Sequence, residues 1–119
     1  MMKQVVCKKT ELQPGEKIRT NLGRIPVVVC RTPDGEFYAF SNSCIHQGAP
    51  MSEGAICGAA APTDTPGEYR YEKEGEILRC PWHGREYDIK NEGRMLVDPS
   101  RRLPSFKVSV EDDDVVVSK

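Results

Sequence analysis

The sequence predicts an all-β fold, a small antiparallel sandwich or barrel, on three observations. Short β-branched and aromatic segments recur along the chain. Pro, Gly, Asn and Asp punctuate them at close intervals. No stretch of ten or more residues keeps an apolar period of 3.6, so nothing reads as an amphipathic helix. A chain of 119 residues fits one domain, 1–119. A domain of that size buries roughly two-thirds of its unfolded surface, enough for an independent core.

The expected strands follow in order. Residues 4–7 carry the Val5-Val6 pair, and 17–20 carry Ile18 and Thr20. Residues 27–31 belong to the strongest apolar run, Ile25–Cys30, and 37–40 are Phe-Tyr-Ala-Phe. Arg31-Thr32-Pro33-Asp34-Gly35-Glu36 joins these two as a hairpin connection, because Pro presets φ and Asp-Gly supplies the turn. Later strands are expected at 77–79, 86–88, 106–110 and 115–118, the last two joined by the acidic turn Glu111–Asp114. Residues 55–75 break the pattern, with Gly58–Gly67 small and Pro-containing and Glu68–Glu74 charged. That stretch reads as an irregular loop inside the fold rather than a linker.

Lys and Arg total 17 against 18 Asp and Glu, so the chain has no charge footprint for nucleic acid or an anionic membrane. Ile25–Cys30 is far too short for a membrane span. Met1–Cys7 has no apolar leader core, cleavage pattern or twin arginine, so a cytoplasmic location is expected. In that reducing compartment Cys7, Cys30 and Cys57 read as free thiols. Cys7 and Cys30 are expected to be buried as small apolar residues.

The chemistry is concentrated in two short clusters. The only two histidines each stand beside a cysteine, in Cys44-Ile45-His46 and in Cys80-Pro81-Trp82-His83-Gly84. Between the pairs lie 33 residues. Two thiolates and two imidazoles suit a tetrahedral structural zinc. Zinc fingers, however, usually pair Cys with Cys and His with His. One Cys and one His from each loop suits a two-iron cluster, with one iron taking both thiolates and the other both imidazoles.

The flanks sharpen the choice. Ser43-Cys44-Ile45-His46-Gln47-Gly48-Ala49-Pro50-Met51-Ser52-Glu53-Gly54 and Cys80-Pro81-Trp82-His83-Gly84 resemble the two cluster-binding loops of the Rieske [2Fe–2S] family. The approach Gly35–Phe40 and the exit Phe106–Val110 are similar to that family too, so the resemblance covers nearly the whole chain. It implies a Rieske-type antiparallel sandwich or barrel with a small inserted cluster-binding subdomain, about 41–88. It implies one [2Fe–2S] cluster on Cys44, His46, Cys80 and His83. Gly48 and Gly84 follow the ligands, where tight loops favour glycine.

Respiratory members carry a further cysteine in each loop, joined as a disulfide. Those positions here are Ala49 and Trp82, so the chain resembles the disulfide-free ferredoxins used with oxygenases. High-potential members place Ser after His-Gly and Tyr two residues on, where this chain has Arg85 and Tyr87. With one hydroxyl donor of the two, the potential is expected toward the low end of a range of about −150 to +300 mV. The span between the loops exceeds that of short members, and the excess is read as an insertion, about 58–74. A Pro-containing loop, Asp98–Pro104, is expected to cover the cluster from a third side. Arg85, Arg101 and Arg102 would then form a positive docking rim.

Both histidines are spent on the cluster, and no Gly-rich nucleotide loop follows a strand. The resemblance therefore implies a one-electron carrier without a catalytic pocket of its own. Its partners would be a ferredoxin reductase and a terminal mono- or dioxygenase. Two other readings stand beside it: a redox-sensing or regulatory cluster subunit of a larger oxidoreductase, and a zinc Cys2His2 interaction module.

Overall fold

The computed structural model describes residues 3–45, 48, 50–61, 70–82 and 84–119, and over 59–61 and 70–74 it describes the backbone alone. Among the described residues ten strands form two antiparallel sheets: β1 (Lys3–Lys8), β2 (Lys17–Leu22), β3 (Ile25–Arg31), β4 (Phe37–Ser41), β5 (Ala55–Ala61), β6 (Arg70–Arg79), β7 (Glu86–Asp88), β8 (Arg94–Met95), β9 (Ser105–Glu111) and β10 (Asp114–Ser118). Three 3₁₀ turns, Lys9–Glu11, Met51–Glu53 and Ile89–Asn91, are the only helical elements among the described residues.

Six strands run in the order β1-β10-β9-β4-β3-β2, and four in the order β5-β6-β7-β8. The edge strands β1 and β2 approach each other, which nearly closes the larger sheet into a barrel. The smaller sheet is inserted between β4 and β9 in sequence.

Strand β3 explains how the sheets share a core. Side chains alternate along a strand. Val27 and Val29 pack inside the barrel with Leu12, Leu22, Ala39, Val115 and Val117. Val28 and Cys30 face the other way, packing with Phe40, Met51, Leu78, Tyr87, Ile89, Met95 and Leu103. A strand buried on both faces loses its polar alternation, which is why Val27–Cys30 reads as a continuous apolar run. Cys44 and Cys80 belong to this second core.

The β3–β4 hairpin has its expected chemistry, with Gly35 N–H donating to Thr32 O at 2.9 Å and Thr32 N–H to Glu36 O at 3.0 Å. The turn between β9 and β10 is also formed, with Asp112 at φ 57°.

Residues 55–75 differ from expectation. Ala55–Ala61 and Arg70–Arg79 are paired strands, with Ala55 opposite Arg79 and Ala61 opposite Arg70, while 62–69 lie outside the described residues. Alanine and glycine are poor strand formers by propensity. Here backbone pairing between neighbours overrides it, and the register slips between Cys57 and Ala59, at Gly58. Cys7 also departs from its expected burial: it is half-buried on the outer strand β1, whereas Cys30 is fully buried.

Candidate metal centre

Cys44 and Cys80 stand on two loops of matching construction. The first leaves β4 at Asn42, which is 4% exposed and closes the loop with three bonds. Its N–H donates to Pro26 O at 3.0 Å, and its C=O accepts from Met51 N–H at 2.7 Å. Its Oδ1 accepts from Ser52 N–H at 2.8 Å. Met51 fills the space beneath, fully buried. Within the loop, Gly48 N–H donates to Cys44 O at 2.8 Å, with Gly48 at φ +73°.

The second loop caps the β6–β7 hairpin, just beyond the Arg79–Glu86 pair. Cys80 N–H donates to Arg85 O at 2.8 Å, and Gly84 N–H donates to Cys80 O at 3.2 Å. Gly84 has φ +67°, a left-handed conformation that favours glycine. In both loops, then, a glycine four residues after the cysteine turns back onto that cysteine's carbonyl.

The two cysteines share one packed core, and each is 3% exposed. Tyr87 joins them. Its side chain is fully buried, and its Oη lies 3.2 Å from Cys44 Sγ. Burial pushes the Tyr87 hydroxyl well above its ordinary range, and the hydrogen bond to Cys44 and the charges of Cys44 and Cys80 add to the effect. Arg101, in the Asp98–Pro104 stretch, pulls the other way. Leu103 of the same loop is buried against the cysteine core.

The arginines separate. Arg101 and Arg102 are exposed, and Arg102 Nη1 lies 3.3 Å from Glu92 Oε2. Arg85 is half-buried, and its Nε is buried without a hydrogen-bond partner. His46, His83 and Ala49 lie outside the described residues. Trp82, at one of the two positions compared with the disulfide cysteines of respiratory members, is 58% exposed.

The remaining thiols are spread out. Cys30 faces the same core from β3, and burial pushes it up to about 12. Cys57 is half-buried on β5, with Sγ 4.0 Å from Glu86 Oε2. Sequence reasoning missed Asn42, whose signal is slight: one Asn after a strand reads as an ordinary turn residue.

A family profile of the Rieske [2Fe-2S] domain matches residues 2–107. Ferredoxin CarAc of Metapseudomonas resinovorans is 30% identical over 115 residues, covering 95% of this chain and 90% of that protein. The ferredoxin component of biphenyl 2,3-dioxygenase from Rhodococcus jostii (strain RHA1) is 27% identical over 112 residues, 94% of this chain and 88% of that one. Among solved structures, the complex of reduced oxygenase and oxidized ferredoxin in carbazole 1,9a-dioxygenase contains a chain that superposes with a TM-score of 0.74. The identity there is 27%, over 98% of this chain and 93% of that chain.

Proposed function

The chain belongs to the Rieske [2Fe–2S] domain family, and on that footing we propose that it is a one-electron carrier between a reductase and a partner oxygenase. Its cofactor is one [2Fe–2S] cluster. The observation that carries the function is the match, along nearly the full length of both chains, to proteins named as ferredoxins, one of them the ferredoxin component of a dioxygenase.

The described residues fit the cluster. Two buried cysteines, neither joined in a disulfide, stand on separate loops and share one core, and thiolates are the soft ligands that iron–sulfur clusters take. We assign Cys44 and Cys80 to one iron and His46 and His83 to the other. When bound, the cluster supplies a reversible one-electron couple.

The rest is the work of the chain itself. Tyr87 Oη lies 3.2 Å from Cys44 Sγ, and toward a thiolate bound to iron the hydroxyl is the donor, which favours the state carrying the added negative charge. Gly48 and Gly84 let both loops fold tightly onto their cysteines. Met51, Tyr87 and Leu103 keep water from the sulfur side. Exposed Arg101 and Arg102 form a positive rim for an acidic partner. We read 1–119 as a single domain, with 41–88 as its metal-binding part and 58–74 as an insertion between the two loops. No helix among the described residues is long and apolar enough to cross a membrane. We place the protein in the cytoplasm, where Cys7, Cys30 and Cys57 stay reduced.

The test begins with the visible spectrum of the purified protein and the EPR spectrum of its reduced form. The reduced protein is then mixed anaerobically with the oxygenase of a ring-hydroxylating system, and the return of the oxidised spectrum is timed. Rapid reoxidation is expected. A colourless protein would remove the cluster assignment, and a coloured one that stays reduced would remove the carrier role.

A further inference from the structure

Arg85 holds the one polar side-chain atom among the described residues that is buried and has no hydrogen-bond partner, its Nε. Buried donors in folded proteins are nearly always satisfied, and a charged one left bare is costly. The backbone fixes where this donor sits. Arg85 follows Gly84 directly, and its C=O accepts the Cys80 N–H at 2.8 Å. The residue is therefore stapled to the base of the Cys80 loop.

Alternation gives the side. Glu86 turns toward Arg79, with Oε2 2.8 Å from Nη2, while Tyr87 turns inward to Cys44. Arg85 stands one residue before β7, where its bond to Cys80 carries the pairing one step past Arg79–Glu86, and alternation extended by that step gives it the side of Tyr87. The Cys44 and Cys80 sulfurs and the Tyr87 hydroxyl do not take up its N–H.

We propose that the Arg85 Nε–H is a donor held for cluster sulfur, satisfied when the [2Fe–2S] cluster is bound. The proposal rests on the assignment of Cys44, His46, Cys80 and His83 as ligands. Arg85 is then a positioning residue that raises the potential, because a directed N–H and a positive charge both favour the more negative reduced state. Its part in the docking rim is secondary.

Arginine labelled with ¹⁵N in the guanidino group, incorporated into the wild-type holoprotein, is read by pulsed EPR of the reduced cluster. A weak ¹⁵N coupling is expected, and it disappears in Arg85→Lys. Midpoint potentials give a second readout. Arg85→Met is expected to lower the equilibrium for reduction by roughly tenfold, about 59 mV for one electron. Arg85→Lys keeps the charge but loses Nε, and is expected to fall nearly as far. A loaded wild-type cluster with no guanidino coupling overturns the proposal and leaves the ligand assignment standing. Unchanged potentials in both variants also overturn it. A normal potential in Arg85→Lys beside a low one in Arg85→Met assigns the effect to charge and overturns the hydrogen bond. Should neither variant load a cluster, the wild-type coupling decides alone. A colourless wild-type protein overturns the assignment and the proposal together.

Discussion

Tyr87 Oη lies 3.2 Å from Cys44 Sγ, joining β7 of the small sheet to the loop after β4 across 43 residues of sequence. Both side chains are almost wholly buried. The phenol's pKa is pushed well up by burial and by the two cysteines, so it stays protonated, and able to donate, through the neutral range. The contact couples the inserted sheet to the larger one within the core that holds Cys44 and Cys80.

Tyr87→Phe keeps the ring and removes only the hydroxyl. The midpoint potential is expected to fall while the visible spectrum of the cluster is retained. Stability should drop by about 1 kcal/mol, the net worth of one hydrogen bond. Spectroelectrochemistry and urea unfolding measure the two effects. An unchanged potential would mean that Tyr87 serves the core only as a packed ring.

Gly54 and Gly84 should respond very differently to alanine. A Cβ at Gly54 would lie 1.8 Å from the Arg79 carbonyl oxygen, a backbone atom immediately before Cys80. Relieving that clash means moving β6, so Gly54→Ala is expected to cost about 3 kcal/mol, the upper part of the overpacking range, and to lower cluster content. A Cβ at Gly84 meets no atom within 4 Å, which leaves only the strain of its positive φ. That strain is worth about 1–2 kcal/mol. Equal unfolding midpoints for the two variants would contradict this packing.

Asp34 ties the β3–β4 turn to the Ile89–Asn91 turn through its ion pair with Lys90. The Lys90 hydrogen bond, followed by that of Thr32, holds the Asp34 carboxyl down to about 2. An unfolded Asp titrates near about 3.9. The folded value is the lower one, so the stabilisation is complete above about pH 4 and fades as pH falls toward about 2. Lys90→Met should raise the Asp34 value toward the ordinary range, as followed by NMR titration. The variant should also lose less stability than wild type between about pH 5 and pH 2.5. Identical Asp34 titrations in both proteins would show that the pair does not form in solution.

What the sequence disclosed follows from the range of each interaction. Val27–Cys30 was legible because a strand buried on both faces is written in adjacent residues. The Thr32–Gly35 turn was legible because Pro and Gly act on their own backbone. Strand β5 and the first half of β6 were not, because Ala and Gly carry little strand signal and hold their place by pairing with each other. The same division runs through the site. Cys44 and Cys80 were marked by spacing, and Tyr87 by its position after the second loop. Asn42 closes its loop with bonds to residues distant in sequence or across the turn, and a lone Asn does not announce them. By its charge Arg85 reads as a rim residue, whereas its Nε is buried.

Arg101 and Arg102 are adjacent, yet their charges are not equally free. Glu92 accepts Arg102 at 3.3 Å and Arg94 at 3.3 Å, which partly neutralises Arg102. Arg101 has no carboxylate within ion-pair distance among the described residues, and its charge reaches Tyr87. If the rim guides an acidic partner, charge reversal at Arg101 should matter more. Arg101→Glu is expected to slow reoxidation by an oxygenase by about tenfold at low ionic strength, and Arg102→Glu by less. Both effects should shrink at about 0.5 M salt, where screening acts within a few ångströms. Stopped-flow traces over a salt series measure this directly. Rates that ignore salt, or equal losses in the two variants, would remove the arginines from docking.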